Sequence, residues 1–214
     1  DPTWVAAWME QLVTATHGES RYNIAPSQEV PVFVTGADGA TVRLMRWGLV
    51  PSWARDTKIA YATINARVET VAEKPAFRGA WRARRRALVP ATGWYEWKAV
   101  GTLKQPYYVS ASDGNPQMLG ALWERWLDPQ GAELHSCAII TVPVRPELAA
   151  VHDRMPLVLA PAQWAGWLDP KLPQVPAVLE AAALPYTFTT VARTVNSVRN
   201  DGPELVRPLF GLAQ

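Results

Sequence analysis

The sequence predicts an α+β fold with a largely antiparallel, β-barrel-like core flanked by short helices. Many apolar, β-prone runs recur at short spacing. Tight-turn clusters separate them: Gly36-Ala37-Asp38-Gly39, Asp113-Gly114-Asn115-Pro116 and Asp128-Pro129-Gln130-Gly131. Such spacing is the mark of hairpin-connected strands. Helical periodicity is confined to a few short stretches. The 214 residues suit one domain with a real core, residues 1–214, and the 49% hydrophobic content argues for a globular chain.

The elements follow in order. Asp1 is a plausible N-cap with Pro2 at the first helical position. Trp4, Val5, Trp8, Met9, Leu12 and Val13 then repeat at helical spacing until His17-Gly18. Arg21–Pro26 is extended or looped, because a residue before proline avoids the helical region. Val30–Thr35 and Thr41–Val50 read as a hairpin. The second strand runs into Trp47-Gly48-Leu49-Val50-Pro51-Ser52-Trp53, a stiff aromatic corner that serves either as a packed turn or as a stacking platform for bases.

Arg55–Ile64 reads as a polar loop ending at Asn65-Ala66-Arg67-Val68-Glu69-Thr70. On an extended chain Asn65 and Arg67 point the same way. Pro75–Trp81 reads as a short helix. Leu88-Val89-Pro90 is a strand that breaks at Thr92-Gly93 and resumes as Trp94-Tyr95-Glu96-Trp97. Pro106–Ser110, Met118–Trp126 and Glu133–Val142 are further strands, and Arg145–Val151 is a short helical stretch leading to His152. Helical pieces at Pro161–Leu168 and Val175–Ala183 precede a strand at Tyr186–Val191 and a polar tail at Val195–Gly202.

Composition excludes several classes. No run of about 18 apolar residues exists to span a membrane, and no basic-then-apolar leader opens the chain. One cysteine forms no internal disulfide, and three scattered histidines do not join it in a spaced metal cluster. The expectation is a reducing, cytoplasmic setting with no metal, no cofactor and no membrane contact. A net charge of +2 is too small for a protein that coats long nucleic acid. Of its 21 basic residues only Lys58, Lys74, Lys98, Lys104 and Lys171 are lysine. Arginine grips phosphate with a planar fork, although a GC-rich genome produces the same bias. Arg78, Arg82, Arg84, Arg85 and Arg86 are clustered, which suits a small nucleic-acid footprint or a solvated face.

Candidate chemistry centres on Glu96. Strand alternation puts Trp94 and Glu96 on one face and Tyr95 and Trp97 on the other. An acid beside large rings loses hydration and holds its proton to higher pH, which makes a usable general acid. The plainer reading is a solvated edge-strand glutamate, and this stretch by itself favours it. His152, between Val151 and Asp153-Arg154, sits where a helix passes to a strand and can be oriented and tuned, or can simply cap. Cys137, inside Ala138-Ile139-Ile140, reads as a buried, inert thiol; His135 and His17 read as strand-edge and loop residues.

Together, RYNIAP (Arg21–Pro26), WGLVPSW (Trp47–Trp53), NARVET (Asn65–Thr70), LVPATGWYEW (Leu88–Trp97), HDRMPLVL (His152–Leu159) and VNSVRND (Val195–Asp201) fall in the order and spacing of one family. The chain resembles the SOS-response-associated peptidase (SRAP) family over nearly its whole length. The resemblance implies a β-barrel-like α+β domain whose groove binds single-stranded DNA carrying an abasic site, including at junctions with duplex. It implies a cytoplasmic, nucleoid-associated monomer. In that family an N-terminal cysteine, exposed when the initiator methionine is removed, attacks the ring-opened sugar. Its amine forms a Schiff base and its thiol closes a thiazolidine.

Carried over residue by residue, Asn65 would position the amine, Glu96 would shuttle protons and His152 would assist ring opening. Arg67, Arg154 and Thr141 would contact the DNA backbone, and Trp47, Pro51, Trp53 and Trp97 would form the groove wall. The family begins Met-Cys-Gly-Arg shortly before the first helix, and Cys-Gly-Arg is nowhere in these 214 residues. Cys137 has no free α-amine to replace it. Either that segment precedes Asp1 in the native protein, which retention of Asn65, Glu96 and His152 favours, or the nucleophile is lacking. The 214 residues alone are expected to bind abasic DNA without crosslinking. The alternatives are a peptidase using the same cysteine, or a non-covalent single-stranded DNA module.

Overall fold

A computed structural model describes residues 2–36, 39–171 and 184–209. The opening helix, α1 (Pro2–Thr16), ends where His17 and Gly18 turn to φ 53° and 72°; the Gly18 N–H donates back to the Val13 carbonyl at 2.9 Å. A glycine carries that left-handed conformation without steric cost, which makes it an efficient helix stop. The predicted N-cap, Asp1, lies outside the described residues.

The strands are β1 (Glu29–Gly36), β2 (Gly39–Trp47), β3 (Asn65–Arg67), β4 (Arg86–Ala91), β5 (Trp94–Val100), β6 (Leu103–Ala111), β7 (Gln117–Leu127), β8 (Glu133–Pro143), β9 (Arg154–Pro156), β10 (Val158–Leu159) and β11 (Tyr186–Thr190). Two further helices are α2 (Arg78–Arg82) and α3 (Pro161–Leu168). Antiparallel pairings run β2–β1–β4–β7–β8, and a parallel pairing of β8 with β2 closes the ring into a five-stranded barrel. β3 and β9 extend β8, and β10 extends β7. A separate antiparallel sheet, ordered β11–β6–β5, packs beside the barrel.

The barrel carries the core. Phe33 and Leu88 face each other across β1 and β4, and both are fully buried, as are Met45, Leu122 and Ile140. α2 covers β7 and α3 covers β4, so these strands are apolar on both faces rather than alternating.

Several predicted boundaries move. The Thr41–Val50 strand stops at Trp47, because Gly48 turns to φ 120° with its α-carbon against the Ala60 carbonyl; a β-carbon there would lie 2.6 Å from that oxygen. Arg55–Ile64 is not plain loop but holds a 3₁₀ turn at Lys58–Ala62, and the Arg145–Val151 stretch is a 3₁₀ turn at Pro146–Leu148. The Pro75–Trp81 helix forms at Arg78–Arg82. The predicted helix at Val175–Ala183 lies outside the described residues, as do the hairpin-tip residues Ala37 and Asp38.

The largest surprise is at Thr92-Gly93. The break there is no kink in one strand: β4 belongs to the barrel and β5 to the other sheet. A β-carbon on Gly93 would come within 2.4 Å of the Val109 carbonyl, so only glycine lets the chain cross so close to β6.

Candidate active site

Glu96 stands where the two sheets meet. Among the described residues β5 is an edge strand paired only with β6, with Glu96 opposite Tyr107. Its inward face brings Trp94 and Glu96 into a small cleft whose other walls are Val109, Val144, Leu148, Val151, His152, Arg154 and Met155. The carboxylate is largely desolvated by these groups, and burial pushes its pKa up to about 7. The neighbouring His152 pulls it down and Asp153 pushes it further up. The alternation expected from sequence holds: Trp94 and Glu96 share the cleft, while Tyr95 and Trp97 lie on the far side with ring centroids 6.4 Å apart.

His152 enters the same cleft from the loop after the 3₁₀ turn, its Nδ1 3.9 Å from Glu96 Oε2. Three constraints orient the ring. The Arg154 backbone N–H donates to Nδ1 at 3.0 Å, the Arg154 carbonyl oxygen lies 3.1 Å from the same nitrogen, and Asp153 Oδ1 lies 3.3 Å away. The backbone N–H favours a bare Nδ1, whereas the two nearby oxygens favour a proton on it. In the charged ring the Nδ1–H can point to the Arg154 carbonyl or to Glu96.

Arg154 is fastened in turn. Nη1 and Nη2 donate to the two oxygens of Glu69 at 2.6 and 2.9 Å, and Nη2 donates to the Thr141 carbonyl at 2.7 Å. The guanidinium holds the Glu69 carboxyl below its usual range. A phosphate approaching Arg154 meets a guanidinium already engaged by Glu69. Glu69 is the member of this set that the sequence reading passed over. Its signal was the spacing Asn65-x-Arg67-x-Glu69, which brings the carboxylate past the end of β3 and across β8 to β9.

The remaining predicted residues are dispersed. Asn65 and Arg67 do share the exposed face of β3, with Ala66 fully buried between them, but β8 separates that strand from β9. Thr141 is 9% exposed, pairing with Arg67 on one side and Pro156 on the other. Trp47 is half-buried with its indole N–H donated to the Ile64 carbonyl at 3.0 Å, and Pro51 is buried. Trp53 presents a bare ring, 59% exposed and tethered to the Pro75 carbonyl at 3.3 Å. Trp97 faces away from the Glu96 cleft and donates its indole N–H to Asn196 Oδ1 at 2.8 Å. Cys137 is fully buried in the barrel and burial pushes its thiol up to about 12, as an inert thiol should be. Among the described residues no cluster of histidine, cysteine or carboxylate side chains is arranged to hold a metal ion, and no helix is long and apolar enough to cross a membrane.

The family model described as SOS response associated peptidase (SRAP) matches residues 2–198. The chain belongs to the SRAP family. It is 38% identical over 206 residues to the abasic site processing protein YoqW of Bacillus subtilis, covering 92% of this chain and 90% of that one. It is 31% identical to the abasic site processing protein YedK of Escherichia coli, covering 88% and 85%. The chicken abasic site processing protein HMCES is 32% identical, covering 88% of this chain and 66% of that protein. Among solved structures, a Bacteroides thetaiotaomicron protein superposes with a TM-score of 0.72 at 28% identity, covering 86% of this chain and 82% of the other. The matched span, residues 2–198, includes Glu96 and His152.

Proposed function

We propose that this SRAP-family protein binds abasic sites in single-stranded DNA and that Glu96 and His152 perform the proton transfers that fix the opened sugar to an amine. The observation that carries the reading is the pairing of a desolvated acid, its pKa near 7, with an imidazole 3.9 Å away in one apolar cleft. An acid held in this way and an imidazole beside it can serve in turn as donor and acceptor.

An abasic sugar is mostly a closed hemiacetal. Opening it breaks the C1′–O4′ bond, with one proton leaving the C1′ hydroxyl and one arriving on O4′. His152, whose Nδ1 can accept or donate according to its tautomer, is suited to assist that exchange. An α-amine, with an ordinary pKa near 8, then adds to the aldehyde carbon. Expelling water from the resulting carbinolamine requires a proton on its hydroxyl, which the Glu96 carboxylic acid supplies; the carboxylate afterwards takes a proton back from nitrogen. A thiol on the β-carbon, one atom beyond the carbon that bears the amine, adds across the C=N bond, forming C–S and leaving its proton on nitrogen. This closes the thiazolidine that the family resemblance implies, with an N-terminal cysteine as nucleophile and Asn65 as its guide. Arg67 and the exposed Trp53 ring are the surface groups best suited to phosphate and base contact.

The test uses protein carrying Met-Cys-Gly-Arg and its connecting stretch ahead of Asp1. With an abasic single-stranded oligonucleotide it is expected to give a band that survives denaturation, and with intact DNA none. Glu96→Gln is expected to slow that product by about 10²-fold or more while single-stranded DNA binding persists. Equal crosslinking by Glu96→Gln, or binding that ignores the lesion, would refute the reading. Release of fragments from an added protein substrate would point to a peptidase instead.

A further inference from the structure

Among the sequence blocks with no part in the cleft are Arg21–Pro26 and Val195–Asp201. They meet each other behind β5. The Asn23 side chain, buried, directs its Nδ2 at the carbonyls of Val195, Ser197 and Asn200 at 3.0, 3.1 and 3.0 Å. Asp201 Oδ1 accepts the backbone N–H of Tyr22 and of Asn23, and Arg21 lies 3.6 Å from Asp201 Oδ2. The two loops are thereby clasped into one unit, with Val191, Val195 and Leu205 as its small core and Tyr22, Tyr95 and Tyr108 packed on it.

That unit grips β5 at the residues on either side of Glu96. The Tyr95 hydroxyl donates to the Tyr22 carbonyl at 2.8 Å, one bond into each block's neighbourhood, and the Trp97 indole N–H donates to Asn196 Oδ1 at 2.8 Å. β5 needs such help. Among the described residues it is an edge strand with one ladder partner, and its hairpin tip carries exposed Val100 and Leu103. Free to twist, it would let its alternate residue swing out of the cleft.

We propose that Tyr95, Trp97 and Asn196 are positioning residues, and Asn23 their keystone: the clasped loops hold the back of β5 so that Glu96 stays aimed at His152. The inference rests on the reading of Glu96 as the proton-transfer acid, but its decisive measurement needs no covalent product.

The experiment follows the Glu96 carboxyl by ¹³C NMR in the 214-residue protein, its resonance identified by loss in Glu96→Gln. The charged and titratable groups around Glu96, namely His152, Asp153 and Arg154 at the cleft and Tyr107 opposite it on β6, are unaltered in Tyr95→Phe and Asn196→Ala. In Tyr95→Phe and in Asn196→Ala the titration midpoint of Glu96 is expected to fall by roughly one pH unit or more as the acid gains solvent. Asn196→Asp keeps an acceptor for the indole and is expected to restore it, whereas a general loss of stability would not distinguish the two Asn196 variants. In protein carrying the cysteine, the same variants are expected to slow crosslinking several-fold with unchanged affinity for intact single-stranded DNA. An unchanged Glu96 midpoint in folded Tyr95→Phe and Asn196→Ala overturns the inference. A wild-type protein that forms no covalent product overturns the catalytic reading instead, and the midpoints still decide whether β5 is anchored this way.

Discussion

The barrel and the three-stranded sheet beside it solve opposite problems. Closure leaves the barrel's five strands without an edge, and Phe33, Met45, Leu88, Leu122 and Ile140 lie on those strands at zero exposure. The β5–β6–β11 sheet is open, and the stretch of β5 at the cleft, Trp94–Glu96, is half-buried. A fully sealed strand would bury a carboxylate beyond reach of a substrate, and a solvated one would leave it an ordinary, ionised acid. At the seam between the two, Glu96 is both desolvated and accessible. The difference teaches that the barrel provides the frame, while the chemistry sits on the less protected sheet and has to be held there by other means.

Three measurements sharpen that contrast. The largest effect belongs to the frame: Phe33→Ala removes the fully buried ring that stacks on Trp8 of α1 and is expected to cost about 3–5 kcal/mol in urea unfolding. A cost near zero would mean that the barrel does not bear the core.

The second concerns the seam. The folded-state pKa of Glu96 is raised from 4.5 to about 7, so the folded protein holds this proton more tightly than the unfolded chain does. Its contribution to stability is full below pH 4.5 and is lost as pH rises through about 7. At about 1.4 kcal/mol per pH unit, the loss is at most about 3 kcal/mol. Glu96→Gln should therefore flatten the fall in stability between those pH values, read as the difference between wild-type and variant unfolding curves at each pH. Parallel curves would place the acid in solvent. The smallest effect lies at the open sheet's tip, where Leu103 is 52% exposed. Leu103→Thr is expected to change stability by less than about 0.5 kcal/mol. A large loss would show that the tip is packed rather than free.

Much of this was legible in the chain. The hairpins, the α1 stop and the opposed faces of Trp94–Trp97 follow from local rules of turn chemistry and alternation, which depend on neighbours in sequence. Boundaries slipped where a distant group decided them. The strand beginning at Thr41 stops at Gly48 because the Ala60 carbonyl crowds it. The two halves of Leu88–Trp97 part into separate sheets because Gly93 passes hard against β6.

Residue types and periodicity by themselves placed an acid between indoles, put a histidine at a junction, and marked Cys137 as an inert core thiol. They could not decide whether that acid was solvated, since hydration depends on what the rest of the chain brings near. The tertiary structure decided it, by folding Leu148, Val151 and His152 over Glu96 and by bringing Arg21–Pro26 to Val195–Asp201 behind it. Desolvation and long-range hydrogen bonds arise between residues far apart in sequence, and only the folded chain makes them neighbours.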